Sequence, residues 1–459
     1  MPLAKRSACR RYARAMGRPY FFSDAGVLAA VAVWVLVAPR PAAGGEVDDL
    51  IAQLAATSRS RREAADLALR SLGPDTLPEL AAAIPAATGE AAFRLRSIRS
   101  ALVDEAVLAA VEPTSLSLTA ENEPLGELLA RIGSGAGRLT LVEAGGNRAE
   151  SDRRVSLRLE RATYWEAIDA ATKAAGCRLG YRAPQNEAGG CGLVVEPVAE
   201  DRRAAASDAA GLFRVEVADV SRFASSAAGG FEGLRVPLRV AWEPRIEPLV
   251  LRLPLRSIVA EGRAGEAFAV RRRMAVLEAT NLRGRCWSEF AITLEQPEPP
   301  LESLGMLRGT LDLVLAAAPC RFTFRVEPAA PLPSPQTLAA VQVSLEAVDR
   351  SPGRLVATLR AEYATPSEAL ASHRDWIARQ LPVASCGGRP LRRVSVDVVR
   401  RSRRGITLQA AFRMPPQTAE DAACEISWRL PVAILELPVD FAIRKIPLPR
   451  QGRSAGDLE

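Results

Sequence analysis

At 459 residues, 48% of them hydrophobic, the chain has room for about three domains of ~150 residues and apolar content enough for their cores, which excludes a disordered or fibrous protein. A formal net charge of +7 invites a nucleic-acid reading, but the location of the charge removes it. Lys5, Arg6, Arg10, Arg11, Arg14, Arg18 and Arg40 crowd into residues 1–43 against Asp24 alone, and beyond them acids and bases nearly balance.

That basic start precedes "GVLAAVAVWVLVA", Gly26 to Ala38, and then "PRPAAGGE". A bilayer core needs about 20 apolar residues, so a short apolar run between basic and small residues predicts a secretory signal peptide over 1–43, cleaved near Ala43, with an uncleaved anchor as the alternative. The expected location is the periplasm or the outside of the cell.

The next block has helical period. Val47, Leu50, Ile51 and Leu54 are spaced i, i+3, i+4, i+7, as are Ala65, Ala68, Leu69 and Leu72, behind a Ser60–Glu63 capping box and before Gly73 and Pro74. Leu77, Leu80, Ala81 and Ile84 repeat the spacing, and Ala91, Leu95, Ile98 and Leu102 continue it. Two helical hairpins over 44–112 follow. The segment "LIAQLAATSRSRREAADLALRSLGPDTLPELAAAI" resembles a HEAT repeat, and two such hairpins imply a packing platform rather than a long solenoid.

Residues 115–198 read β-α-β-β-α-β-β. Leu116 and Leu118 alternate, Leu125, Leu128, Leu129 and Ile132 line a helix ended by "GSGAG", and Leu139 and Leu141 resume alternation. Val155, Leu157 and Leu159 form a strand, Thr163 and Glu166 a capping box, Trp165 and Ile168 a helix face, and strands follow near 177–181 and 191–196. The glycines follow a helix instead of opening one, so they terminate it and cradle no phosphate. "LSLTAENEPLGELLARIGSGAGRLTLV" and "VSLRLERATYWEAIDAATKAAGCRLGYR" are similar to the short N-terminal domain of outer-membrane secretins and TonB-dependent receptors. That resemblance implies a periplasmic module for protein contacts with no catalytic residues, and no pore or barrel follows it here. The alternative is an internal spacer.

From 211 onward short alternating runs such as "LFRVEVADV", "LRVPLRVAWEP" and "GTLDLVLAA" predict one antiparallel β-sandwich over 211–330, and "AAVQVSLEAV" through "LPVDFAIRKI" a second over 338–450, before a disordered tail at 451–459. Pro237, Pro244, Pro248 and Pro254 cannot all occupy central strands. The expected fold class is therefore multi-domain α+β. Lys5, Lys173 and Lys445 are the only lysines, and with this arginine bias the order of domains resembles envelope proteins of planctomycete-type bacteria.

Export permits disulfides, and Cys286 with Cys320 and Cys386 with Cys424 are the candidate pairs; Cys177 with Cys191 is disfavoured because a symmetric hairpin sets them out of register. The alternative is six buried thiols.

No catalytic constellation is legible. His373 is the only histidine, which excludes HExxH metal sites. Its "SHRDW" context matches the HRD tripeptide of protein kinases without a glycine-rich loop or a strand lysine. No cofactor and no nucleic acid are expected, and only a carboxylate pair could support an enzyme. Trp242, Trp287 and Trp428 lie on predicted strands, and at least two exposed on one face would form a sugar platform, with core packing as the alternative. Two functions follow: a non-catalytic envelope scaffold or adaptor for partner proteins, or a secreted carbohydrate-binding or carbohydrate-active protein.

Overall fold

A computed structural model describes residues 44–84, 86–135, 150–181, 193–198, 206–225, 231–280, 282, 285–298, 301–371, 374, 376–415 and 422–449. The predicted leader, the strand at Leu139 to Leu141, Cys191, His373 and the tail at 451–459 lie outside the described residues. Contacts divide the chain into Met1–Pro41 and Ala42–Glu459, and the description concerns the latter. It is mostly β, with several antiparallel sheets and a minority of helix.

Helices α1 (Gly44–Gln53), α2 (Arg59–Ser71), α3 (Leu77–Ala83) and α4 (Gly89–Val111) form where the apolar spacing predicts them, burying Val47, Leu54, Ala65, Leu69, Leu80, Leu95 and Ile98. The Ser60–Glu63 capping box does not form. The N-cap is Ser58, two residues earlier, and Glu63 pairs with Arg59 one turn back at 2.7 Å. Gly73, at φ 79°, supplies the left-handed residue that ends α2.

Strands β1 (Ser115–Pro124) and β2 (Arg154–Thr163) pair only with each other among the described residues. Helix α5 (Leu125–Gly135) follows β1, and α6 (Tyr164–Ala174) follows β2. The Thr163–Glu166 capping box forms, with Thr163 N donating to Glu166 Oε2 at 2.7 Å. β3 (Cys177–Tyr181) and β4 (Leu193–Pro197) make a second two-stranded sheet. Cys177 sits opposite Pro197 as a buried free thiol, so it is in no disulfide with Cys191.

The remaining strands are β5 (Ser207–Ala210), β6 (Phe213–Val217), β7 (Ser221–Ser225), β8 (Phe231–Trp242), β9 (Pro248–Pro254), β10 (Val259–Glu261), β11 (Ala267–Val270), β12 (Val276–Ala279), β13 (Trp287–Glu295), β14 (Ser303–Val326), β15 (Gln336–Leu338), β16 (Val341–Ser351), β17 (Arg354–Tyr363), β18 (Val383–Cys386), β19 (Arg389–Pro390), β20 (Arg392–Ser402), β21 (Gly405–Arg413) and β22 (Cys424–Pro447). One path of hydrogen-bonded neighbours runs β19-β18-β22-β14-β10-β11-β13-β8-β6-β5, with β7, β9 and β12 on its flanks. A separate five-stranded sheet runs β15-β16-β17-β21-β20.

β14 and β22 dominate this arrangement. They pair from Ser303 opposite Pro447 to Val326 opposite Cys424. The first part of β14 also pairs with β10 and β9. The later part faces the five-stranded sheet, where Gln336 Nε2 donates to Thr323 O at 2.6 Å and Tyr363 Oη to Pro431 O at 2.9 Å. Phe322, Phe324, Trp428 and Leu430 on the long strands and Leu355, Leu359, Leu408 and Phe412 on the five-stranded sheet are all buried. Both long strands thus serve two β layers, and the sheet continues past the boundary expected between 330 and 338. Helices α3 and α4 lie on β14, so the helical block rests on the same pair.

Pro237 occupies a central strand after all. Its carbonyl accepts from Ala218 N at 3.0 Å on the flank where β6 stops and β7 has not begun. The missing N–H therefore falls in a gap of the ladder. Pro248 and Pro254 begin and end β9.

Candidate functional site

Charged residues gather where the 115–198 unit meets the large sheet. Register places Glu216 of β6, Arg239 of β8 and Glu289 of β13 side by side, and beside that row Arg214, Ala241 and Trp287. Acid, base and acid alternate across three strands, which makes opposite neighbours attractive. The small Ala241 leaves room between Arg214 and Trp287, and Tyr181 fills it from β3. Its hydroxyl accepts from Arg214 Nη1 at 2.7 Å, its ring lies 5.5 Å from that of Trp287, and the Arg239 guanidinium stands 5.5 Å from its centroid.

Arg214 is the hub. Its Nε donates to Asp169 Oδ1 of α6 at 2.9 Å and its Nη1 to Glu216 on its own strand. Arg239 adds an ion pair to Glu289 at 3.0 Å and a longer one to Glu216 at 3.7 Å. Burial opposes the charge of Arg214, but Tyr181, Asp169 and Glu216 outweigh it and hold the guanidinium protonated beyond its usual range. Burial raises the carboxyl of Asp169 above its ordinary value, with Arg214 pulling against it. Burial likewise raises the phenol of Tyr181.

A second joint ties both neighbours to the helical block. Fully buried Glu243 accepts from Thr114 N at 2.9 Å, Thr114 Oγ1 at 2.6 Å and Arg245 Nε at 2.6 Å. Arg245 extends the link to the carbonyls of Ala109 and Glu112 at the end of α4. Trp165 of α6 donates its indole N–H to Leu212 O at 2.9 Å, and Glu243 N donates to the same carbonyl at 3.0 Å. The adjacent Tyr164 hydroxyl is buried without a hydrogen-bond partner, and burial, then the Glu243 charge, push its phenol up.

These groups hold elements together. Each carboxylate at the two joints is engaged by arginine or by threonine and arginine, and the free thiols Cys177 and Cys320 are buried. Among the described residues no three of His, Cys, Asp and Glu are grouped to hold a metal ion, and no helix is long and apolar enough to cross a membrane, which says nothing of strands.

The tryptophans do not make a platform. Trp242 and Trp428 are fully buried, the latter donating to Gln380 O, and Trp287 is half-buried against Tyr181. Strand alternation placed them on strands but turned them inward, where a large apolar ring gains most.

Cys386 and Cys424 form a disulfide between directly opposed residues of β18 and β22, Cα atoms 4.0 Å apart. Cys286 and Cys320 do not join. Cys286 precedes β13 at the β8 side, where its carbonyl accepts from Trp242 N, whereas Cys320 lies opposite Leu430 in the later half of β14 as a free thiol. Cys286 is disulfide-bonded.

Asp169, Tyr181, Arg214, Glu216, Arg239, Glu243 and Arg245 were not legible as a site. The available signal was "FRVEV", where charges alternate with valine and a polar solvent face is the ordinary reading; instead all five residues are buried, because the 164–181 segment covers that face.

No family model matches the chain, and no curated protein matches it. A solved structure described as the crystal structure of the conserved domain protein from Bacillus anthracis shows 10% identity over 52% of this chain and 89% of that one, with a TM-score of 0.14, too low to carry fold or function.

Proposed function

We propose that the chain is a non-catalytic scaffold or adaptor of the cell envelope, exported past the cytoplasmic membrane and engaging partner proteins. In this reading 44–112 is a HEAT-like platform, 115–198 a unit of the secretin short N-terminal type, and 211–330 and 338–450 contribute two antiparallel β-sandwiches that share their longest strands.

One observation carries the reading. The 115–198 unit is held by buried charge at α6 and β3, while β1 and β2 pair only with each other among the described residues and expose Ser117, Thr119, Ser156, Arg158 and Glu160. A partner strand extending such a sheet gains main-chain hydrogen bonds against a fixed frame. Buried anchorage at one side and open strands at the other fit presentation better than chemistry.

Deleting the unit would strip Trp165 and Asp169 from the joints, so the test leaves the frame intact. A photocrosslinking residue is placed at Ser117 or Arg158 in the native host, with Gln409 on the five-stranded sheet as control. The expected result is one envelope protein trapped from both strand positions and not from the control. A folded chain that yields no adduct from either strand position refutes the adaptor reading.

A further inference from the structure

The turn between β11 and β12 sets Arg271, Arg272 and Arg273 in succession before Met274. Met274 is 83% exposed, the most of any large apolar side chain among the described residues, and Val276 follows at 49%. Arg272 holds φ 52°, a left-handed conformation that an unbranched charged residue adopts at a cost and that concentrates at functional sites. Ala275 N closes the turn on Arg272 O at 2.7 Å, and Leu255 N donates to Ala275 O at 2.9 Å, which brings Arg256 beside the turn.

Arg256, Arg272 and Arg273 are exposed and carry no ion pair or side-chain hydrogen bond among the described residues, while Arg271 lies 3.8 Å from Glu295. By contrast Arg325 pairs with Glu327, and Arg360 with Glu346 and Glu362. Here Glu295 reaches Arg271 alone, and an apolar side chain stands at the apex.

We infer that this turn is a peripheral membrane-docking tip that binds an anionic lipid surface, its guanidinium groups on lipid phosphates and Met274 with Val276 entering the interface. A soluble polyanion would satisfy the arginines but leave Met274 in water. An anionic bilayer offers both a charged surface and an apolar layer beneath it. The inference is independent of the adaptor reading, which rests on β1 and β2.

Hydrogen exchange in the full chain gives a readout local to the turn, so attachment through another segment does not imitate it. With vesicles of phosphatidylcholine containing about one-third phosphatidylglycerol, amides 271–276 should slow, and the effect should fade as salt is raised. Pure phosphatidylcholine should leave them unchanged.

The double variant Arg272→Gln/Arg273→Gln should need about 25-fold more lipid for half-protection, roughly fivefold per arginine. Met274→Ser should weaken protection with all charges kept. The control Arg354→Gln/Arg392→Gln, which removes two exposed arginines from the five-stranded sheet, should behave as wild type. Four results would overturn the inference: no protection by the mixed vesicles at low salt, equal weakening by the control, equal protection by soluble polyphosphate, or no effect of Met274→Ser.

Discussion

Replacing Arg214 with methionine removes the hub of the joint while keeping a stem of similar length. The side chain is 6% exposed and Glu216 is 4% exposed, so both charges sit almost dry. Without Arg214, Glu216 keeps only the long contact to Arg239 at 3.7 Å, and a buried carboxylate left half-compensated costs about 3–5 kcal/mol. Asp169, 36% exposed, recruits water instead and adds less. Adding Glu216→Leu removes the stranded charge, and Arg239 retains Glu289, so the double variant should recover most of the loss, a coupling of about 2–3 kcal/mol. Urea unfolding followed by tryptophan fluorescence reads the stability, since Trp287 lies against Tyr181. Hydrogen exchange over 164–181 reads undocking without global unfolding. Arg214→Met within about 1 kcal/mol of wild type, or a double variant as unstable as the sum of the singles, would show that the joint is not an electrostatic lock.

Two further predictions concern sulfur. Cys386 and Cys424 close a loop of sequence separation 38, so Cys386→Ala/Cys424→Ala should lose about 3–4 kcal/mol on the chain-entropy account, and reductant should lower the melting temperature of wild type further than that of the variant, which keeps the Cys286 bond; a loss under about 1 kcal/mol would contradict it. Burial, reinforced by Asp75, pushes the Cys320 thiol from 9.0 up to about 12. In the unfolded chain it ionises first, so the stability tied to the protonated thiol is complete below pH 9 and is lost between pH 9 and 12 at up to about 1.4 kcal/mol per pH unit. The stability gap between wild type and Cys320→Ala should narrow through that window, and a constant gap would disprove the shift.

What the sequence makes legible is the side of an element that turns inward, and what it hides is whatever covers the other side. Helical spacing identified Leu125, Leu128, Leu129, Ile132, Trp165 and Ile168 as core, and all six are buried. Strand alternation was equally informative, yet β14 reads as the two runs "GTLDLVLAA" and "RFTFRVEP", and β22 as "CEISWRLPV" and "LPVDFAIRKI". Pro319 and Pro431 stand opposite each other inside the continuous ladder, and the Pro431 carbonyl accepts from the Tyr363 hydroxyl at 2.9 Å.

Charged rows show the limit most clearly. Arg354, Arg413 and Arg392 are aligned across β17, β21 and β20, and all three are exposed. The row of Glu216, Arg239 and Glu289 has the same period-two signal on its strands, but the 164–181 segment lies over its Glu216 end. Water screens like charges in the open row, whereas a covered row must neutralise itself across the strands. Alternation of sign between neighbouring strands is therefore the mark of a covered charged face. It appears only once register is known, because Glu216, Arg239 and Glu289 come from three separate stretches of the chain.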